Sequence, residues 1–193
     1  MVQCVKLSSI DQGLTCADSD NQPGIASRVI FGYWEDVEVW PALPVPAADA
    51  KEGTPLEDAG ALVGDLTMKA GTKAYTFEYT EDTGSFSIAP QGDAGNTSFL
   101  YSLTIISAKI RKKVLGFMNA AKNRKMFLIV EDNNGMFYLM GDKRRGAMLQ
   151  PGDGAQTGQG SDDQNRTTIQ FTYRSARALM YVGDTEDIVE ETT

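Results

Sequence analysis

Side chains able to do chemistry are few in this chain and poorly grouped. Adjacent carboxylates stand at Glu131-Asp132 and at Asp162-Asp163, and Asp153, Asp162, Asp163 and Asn165 form the densest group of hard oxygen donors. Neighbouring side chains on a strand point to opposite faces, so adjacent carboxylates there cannot act as a pair on one substrate. In loops such residues shape turns instead. The spacing from Asp153 to Asn165 does not match the EF-hand calcium loop. Gly152-Asp153-Gly154 and Gly158-Gln159-Gly160 lack the strand-to-helix setting and the Lys-Ser/Thr ending of a phosphate loop. The sequence contains no histidine. That excludes Ser-His-Asp and Cys-His nucleophilic chemistry, imidazole general-base catalysis and His-ligated zinc. Cys4 and Cys16 have no other soft ligand beside them, and free thiols are favoured over a bridge where no secretion signal precedes them. The expectation is a chain that is not an enzyme, with no catalytic, cofactor-binding or metal residues and no cofactor.

Charge is more informative. The 193 residues carry 18 Lys and Arg against 26 Asp and Glu, a net charge of −8. This balance speaks against a nucleic-acid reader, which usually presents a basic domain. The bases are nevertheless clustered: Lys109, Arg111, Lys112, Lys113, Lys122, Arg124 and Lys125 fall in seventeen residues without an acid, and Lys143, Arg144 and Arg145 follow. Asp184, Glu186, Asp187, Glu190 and Glu191 form an acidic end without a base. Two readings stay open, solvated faces or electrostatic complementarity between copies of the chain. No apolar run is long enough to span a bilayer, and no membrane association is expected.

The elements that would position these residues are mostly strands. Val29, Phe31 and Tyr33 alternate with Ile30, Gly32 and Trp34, and Val37 and Val39 continue the alternation until Pro41, Pro44 and Pro46 stop it. Tyr75, Phe77 and Tyr79 alternate with polar neighbours; Ser85-Phe86-Ser87-Ile88 and Phe99 to Ile105 follow as strands. Spacings of three, four and seven among Val114, Leu115, Phe117, Met118 and Ala121 predict one helix over 111–122. Met126 to Val130 reads as a buried strand, and Asp132-Asn133-Asn134-Gly135 as a hairpin turn, because Asn-Gly adopts positive φ readily. Ile169, Phe171 and Tyr173 mark the last clear strand.

The predicted fold is mainly β: an antiparallel β-sandwich or half-barrel with one packed α-helix. Residues 1–60 read as an irregular N-terminal arm with one strand region and a Pro-rich loop over 41–60. Residues 61–183 read as the sandwich domain, with a second long loop at 142–166, and 184–193 as an acidic tail. Tyr75, Phe77, Phe99, Tyr101, Leu115, Met118, Ile129, Phe137 and Phe171 are the expected core. Loops of this length cost ordering entropy unless they dock, so 41–60 and 142–166 are expected to contact neighbouring copies.

Over a little more than half the chain, from Ala74 to Tyr181, the sequence resembles tail and neck structural proteins of tailed bacteriophages, particularly those of phages infecting Bacteroidetes. The resembling stretches are Tyr75 to Thr80 with Thr83-Gly84, Ser98 to Thr104, Leu115-Gly116-Phe117-Met118-Asn119, Phe127 to Gly135, and Tyr138-Leu139-Met140-Gly141-Asp142. None of these motifs is catalytic. The resemblance implies a tail-tube-like β-sandwich and a virion structural role: homo-oligomeric rings, six-fold in a tail tube or twelve-fold at a neck, stacking with other tail or neck proteins. DNA would pass through the lumen without specific recognition during ejection. The protein would assemble in the host bacterial cytoplasm and reside in the virion. The alternative is a non-enzymatic β-sandwich surface or carbohydrate-binding module, for which Trp34 and Trp40 are the candidate platform.

Overall fold

The computed structural model describes residues 5–10, 21–44, 53–160 and 162–190. Cys4, Cys16, Glu191 and the middle of the Pro-rich stretch lie outside them. The elements run β1 (Val5–Lys6), β2 (Ile25–Tyr33), β3 (Val37–Val39), β4 (Thr54–Pro55), β5 (Thr67–Met68), β6 (Tyr75–Glu78), β7 (Ser85–Gln91), β8 (Ser98–Ala108), α1 (Lys112–Ala121), β9 (Met126–Asp132), β10 (Phe137–Met140), β11 (Met148–Gln156) and β12 (Arg166–Ser175). Two four-stranded antiparallel sheets dominate, in the orders β10-β9-β2-β6 and β11-β12-β8-β7. Among the described residues the fold is mainly β with one α-helix, as the alternation requires; no strand of one sheet pairs with a strand of the other, although Met126 of β9 bridges to Ala147 just ahead of β11.

Alternation decides what each sheet buries. In β8 and β12 the residues Tyr101, Leu103, Ile105, Ile169, Phe171 and Tyr173 face inward and are buried. They meet Val29, Phe77, Leu128, Val130 and Met140 from the other sheet, in one apolar cluster closed by Val114 and Ala121 of α1. The β9 run Met126 to Val130 is apolar at every position because both its faces are covered. Leu128 and Val130 enter the cluster between the sheets, whereas Phe127 and Ile129 enter a second one with Val37, Leu66, Ala74, Leu139, Tyr181 and Ile188. The β10-β9-β2-β6 sheet is therefore a middle layer. Gly32 on β2 makes the second cluster possible: a Cβ there would stand 2.5 Å from Cε1 of Phe127, so only glycine lets that ring cross the strand.

Several expectations change. Residues 142–166 are not one long loop: β11 occupies Met148–Gln156 and pairs with β12, with a register shift between Gln150 and Gly154. An edge strand accepts Pro151, since its outer N–H row has no partner to lose. The end of the chain is not a free acidic tail, at least through Glu190. Ile188 is 4% exposed, and the Ala74 N–H donates to the Ile188 carbonyl while the Glu190 N–H donates to the Ala74 carbonyl. The strand region within residues 1–60 lies between β6 and β9, inside the middle sheet. The described ends of the 41–60 stretch are tied to their own chain: Ala42 bridges to Val63, β4 pairs with β1, and Arg177 Nη1 donates to the Pro44 carbonyl at 2.7 Å.

The predicted helix is present within one residue at each end. Its inner face is Val114, Phe117, Met118 and Ala121; Leu115 is 38% exposed, because the apolar stripe turns one position away from it. Tyr75 is 47% exposed at the first position of β6. Phe77, Tyr101, Ile129 and Phe171 are buried as expected, and Phe99, Met118 and Phe137 are half-buried.

Candidate functional surfaces

Three places gather the side chains singled out by type: the carboxylate turns, the tryptophan pair and the charged faces. The carboxylates serve the backbone. Asp132 Oδ1 accepts the Asn134 and Met136 amides at 2.9 and 2.8 Å and holds the β9–β10 turn, in which Gly135 sits at φ 78. Its neighbour Glu131 pairs with Arg28 at 3.5 Å. Asp163 Oδ2 accepts the Gln159 and Gly160 amides at 2.7 and 2.8 Å. Those two donors stabilise the anion and hold the carboxyl below its ordinary range. Asn165 Oδ1 accepts the Ile110 amide. Among the described residues no cluster of His, Cys, Asp or Glu could hold a metal ion.

The two indoles lie side by side, ring centres 6.1 Å apart and planes tilted by 34°. Trp34 Nε1 donates to the Asp142 carbonyl at 2.7 Å, and the Lys125 ammonium lies 4.7 Å from the Trp34 ring centre. Trp40 meets Phe127 edge to face. Both rings are thus engaged by the protein itself, in a geometry that packs the β2–β3 corner onto the middle sheet.

Buried phenols provide the strongest perturbed groups. Tyr79 donates to the Ala26 carbonyl, and burial pushes its phenol up to about 12. Tyr101 accepts the Leu179 amide at 2.8 Å and donates to the Arg177 carbonyl at 3.1 Å. Tyr173 is raised further, first by burial and then by the Asp142 carboxylate it donates to. All three stay protonated at neutral pH and act as donors, not as bases.

The outer face of β11-β12-β8-β7 has a different character. Register places Ser85, Thr104, Gln170 and Gln150 in one row across the sheet, and Ser87, Ser102, Thr172 and Met148 in the next. These rows are hydroxyls, amides and one thioether, with no charge; toward the ends of β12, Arg174 opposite Leu100 and Arg166 opposite Ala108 place two cations on the same face. The sheet ends on β7 and β11, whose outer edges pair with no other strand among the described residues.

The clustered charges lie elsewhere. Lys109, Arg111, Lys112, Lys113, Lys122, Arg124 and Lys125 are all exposed, and no ion pair among the described residues involves any of them. Arg111 Nη2 donates to the buried Ser107 hydroxyl at 2.8 Å, and Arg124 lies 5.2 Å from the Tyr33 ring centre. The first turn of α1 holds no acid and has no side-chain cap. Lysines at that end add positive charge to the positive pole of the helix. The acidic end docks instead on the far side of the middle sheet, where Asp65 Oδ1 accepts the Asp184 amide and Lys73 donates to the Asp187 carbonyl. The basic helix and the acidic end of one chain do not meet. No protein family, no curated protein and no solved structure matches this chain. No helix among the described residues is long and apolar enough to cross a membrane.

Proposed function

We propose that this chain is a virion structural protein of a tailed bacteriophage, the repeating subunit of homo-oligomeric rings in a tail tube or head–tail neck through which DNA leaves. The uncharged central rows on the outer face of β11-β12-β8-β7 carry the reading. Ladders of Ser, Thr and Gln offer DNA phosphates no cation, so a bore lined by this face would meet the passing duplex mainly through uncharged groups, with Arg166 and Arg174 confined to the ends of β12. The sheet's two open edges, β7 and β11, supply the second requirement: edges left unpaired invite aggregation, and a closed ring pairs each with its neighbour. The helix and the middle sheet would then stand outside the bore.

The alternative, a surface or carbohydrate-binding module, has less support. Its platform would be Trp34 and Trp40, but Lys125 already lies over the Trp34 ring, the Trp34 Nε1 donates to Asp142, and Trp40 packs edge to face with Phe127. Light scattering after size exclusion, with negative-stain microscopy of the same fractions, tests the reading. Rings or tubes with a central hole are expected. A monomer at all protein concentrations would overturn it.

A further inference from the structure

We infer that copies of this chain dock head to tail through charge, the basic face of α1 on one copy seating against the acidic layer of the next. This rests on the reading of the chain as a self-assembling subunit and specifies which surfaces meet.

Two independent placements carry the inference. Phe117 of α1 packs on Phe31, Phe77 and Phe171, so the helix lies on the side of the middle sheet that faces β11-β12-β8-β7. Tyr181, Ile188 and Val189 pack with Phe127, Ile129 and Leu139 on the opposite side. The exposed Asp184, Glu186, Asp187 and Glu190 ride on that segment, and Asp65 stands beside Asp184. The two charged surfaces of one molecule are thus held apart by the middle sheet and cannot neutralise each other. Each lacks an ion-pair partner among the described residues, and the complement of each is presented by any second copy.

A contact between unlike surfaces is heterologous and propagates from copy to copy. The uncapped, lysine-bearing start of α1 fits this placement. Carboxylates arriving from a second copy would meet both the ammonium groups and the positive pole of the helix. Exposed pairs contribute little individually, so the effect falls on association rate and on register.

The test uses the full chain and two exposed charge reversals, K112E/K113E/K122E on the helix and E186K/D187K/E190K on the acidic layer, each checked for native circular dichroism. The parent is expected to assemble at low salt and to slow at about 1 M, where the screening length is about 3 Å. Each reversed variant alone should assemble at least about tenfold more slowly than the parent at low salt. An equimolar mixture of the two should recover, because every contact then joins unlike faces. Parent-like assembly of either variant alone, or a mixture no faster than its components, would overturn the docking and leave the subunit reading intact. A parent that never assembles would overturn both. DNA retention that depends on Lys112, Lys113 and Lys122, with assembly unchanged by their reversal, would reassign the face to nucleic acid and overturn the docking.

Discussion

Tyr173 Oη donates to Asp142 Oδ2 at 2.6 Å, joining the inner face of β12 to the turn after β10. The other oxygen of Asp142 accepts the Arg144 and Arg145 amides at 2.6 and 2.8 Å, and its carbonyl takes the Trp34 indole N–H. One residue therefore fixes a turn, a strand of the outer sheet and the tryptophan corner.

Tyr173→Phe should lower stability by about 1–3 kcal/mol, since it removes a charge-assisted hydrogen bond and leaves a half-buried carboxylate oxygen short of a donor. Urea unfolding of the parent and the variant measures this. A change within error would show that water replaces the phenol at no cost.

On α1 three neighbouring positions should respond differently. Val114→Ala, at a buried site, should destabilise by about 1–2 kcal/mol, and Leu115→Ala, half out in solvent, by less than about 1. Gly116→Ala should stabilise by about 0.5–1 kcal/mol, because a Cβ there meets nothing within 4 Å and the chain gains helix propensity. Thermal melts of the three variants give the order directly.

Ending the chain after residue 183 should cost about 2–5 kcal/mol. It uncovers the second cluster where Ile188 is buried and removes both backbone hydrogen bonds to Ala74. Ile188→Asp in the full chain should show a comparable loss in urea midpoint, which separates burial from the removal of charge.

Alkali should unfold the protein before its phenols titrate in the native state. The Tyr79 phenol is raised from 10.0 to about 12, so its contribution is complete below pH 10. Between those values the unfolded chain gives up the proton and the folded chain keeps it, and stability falls as pH rises. Tyr101, Tyr138, Tyr173 and Tyr181 are shifted the same way and add to the slope. Tyrosinate absorbance and circular dichroism followed together should change in one step. Ionisation of these phenols well before the loss of structure would contradict the burial.

What could be read in advance follows from how strongly each segment's residues are constrained. The apolar run Met126 to Val130 and the Asn134-Gly135 turn are unambiguous, because few conformations satisfy either. β11 was hidden by composition: of its paired residues only Leu149 packs against the core, and glycines with Pro151 make up much of the rest. An edge strand with one solvated face and a bulge needs no alternation of large apolar residues. The acidic end concealed its anchor in the same way, since Ile188 and Val189 are a short apolar pair among charges. On the surfaces, the clustering of bases was visible in the sequence, but the neutral Ser/Thr/Gln rows were not. They exist only once β7, β8, β12 and β11 are in register.

Because β9 feeds Phe127 and Ile129 into one cluster and Leu128 and Val130 into the other, displacing this one strand would strip residues from both clusters at once. Amide protons along 127–130, on a central strand buried on both faces, are therefore expected to be among the last in the molecule to exchange with solvent.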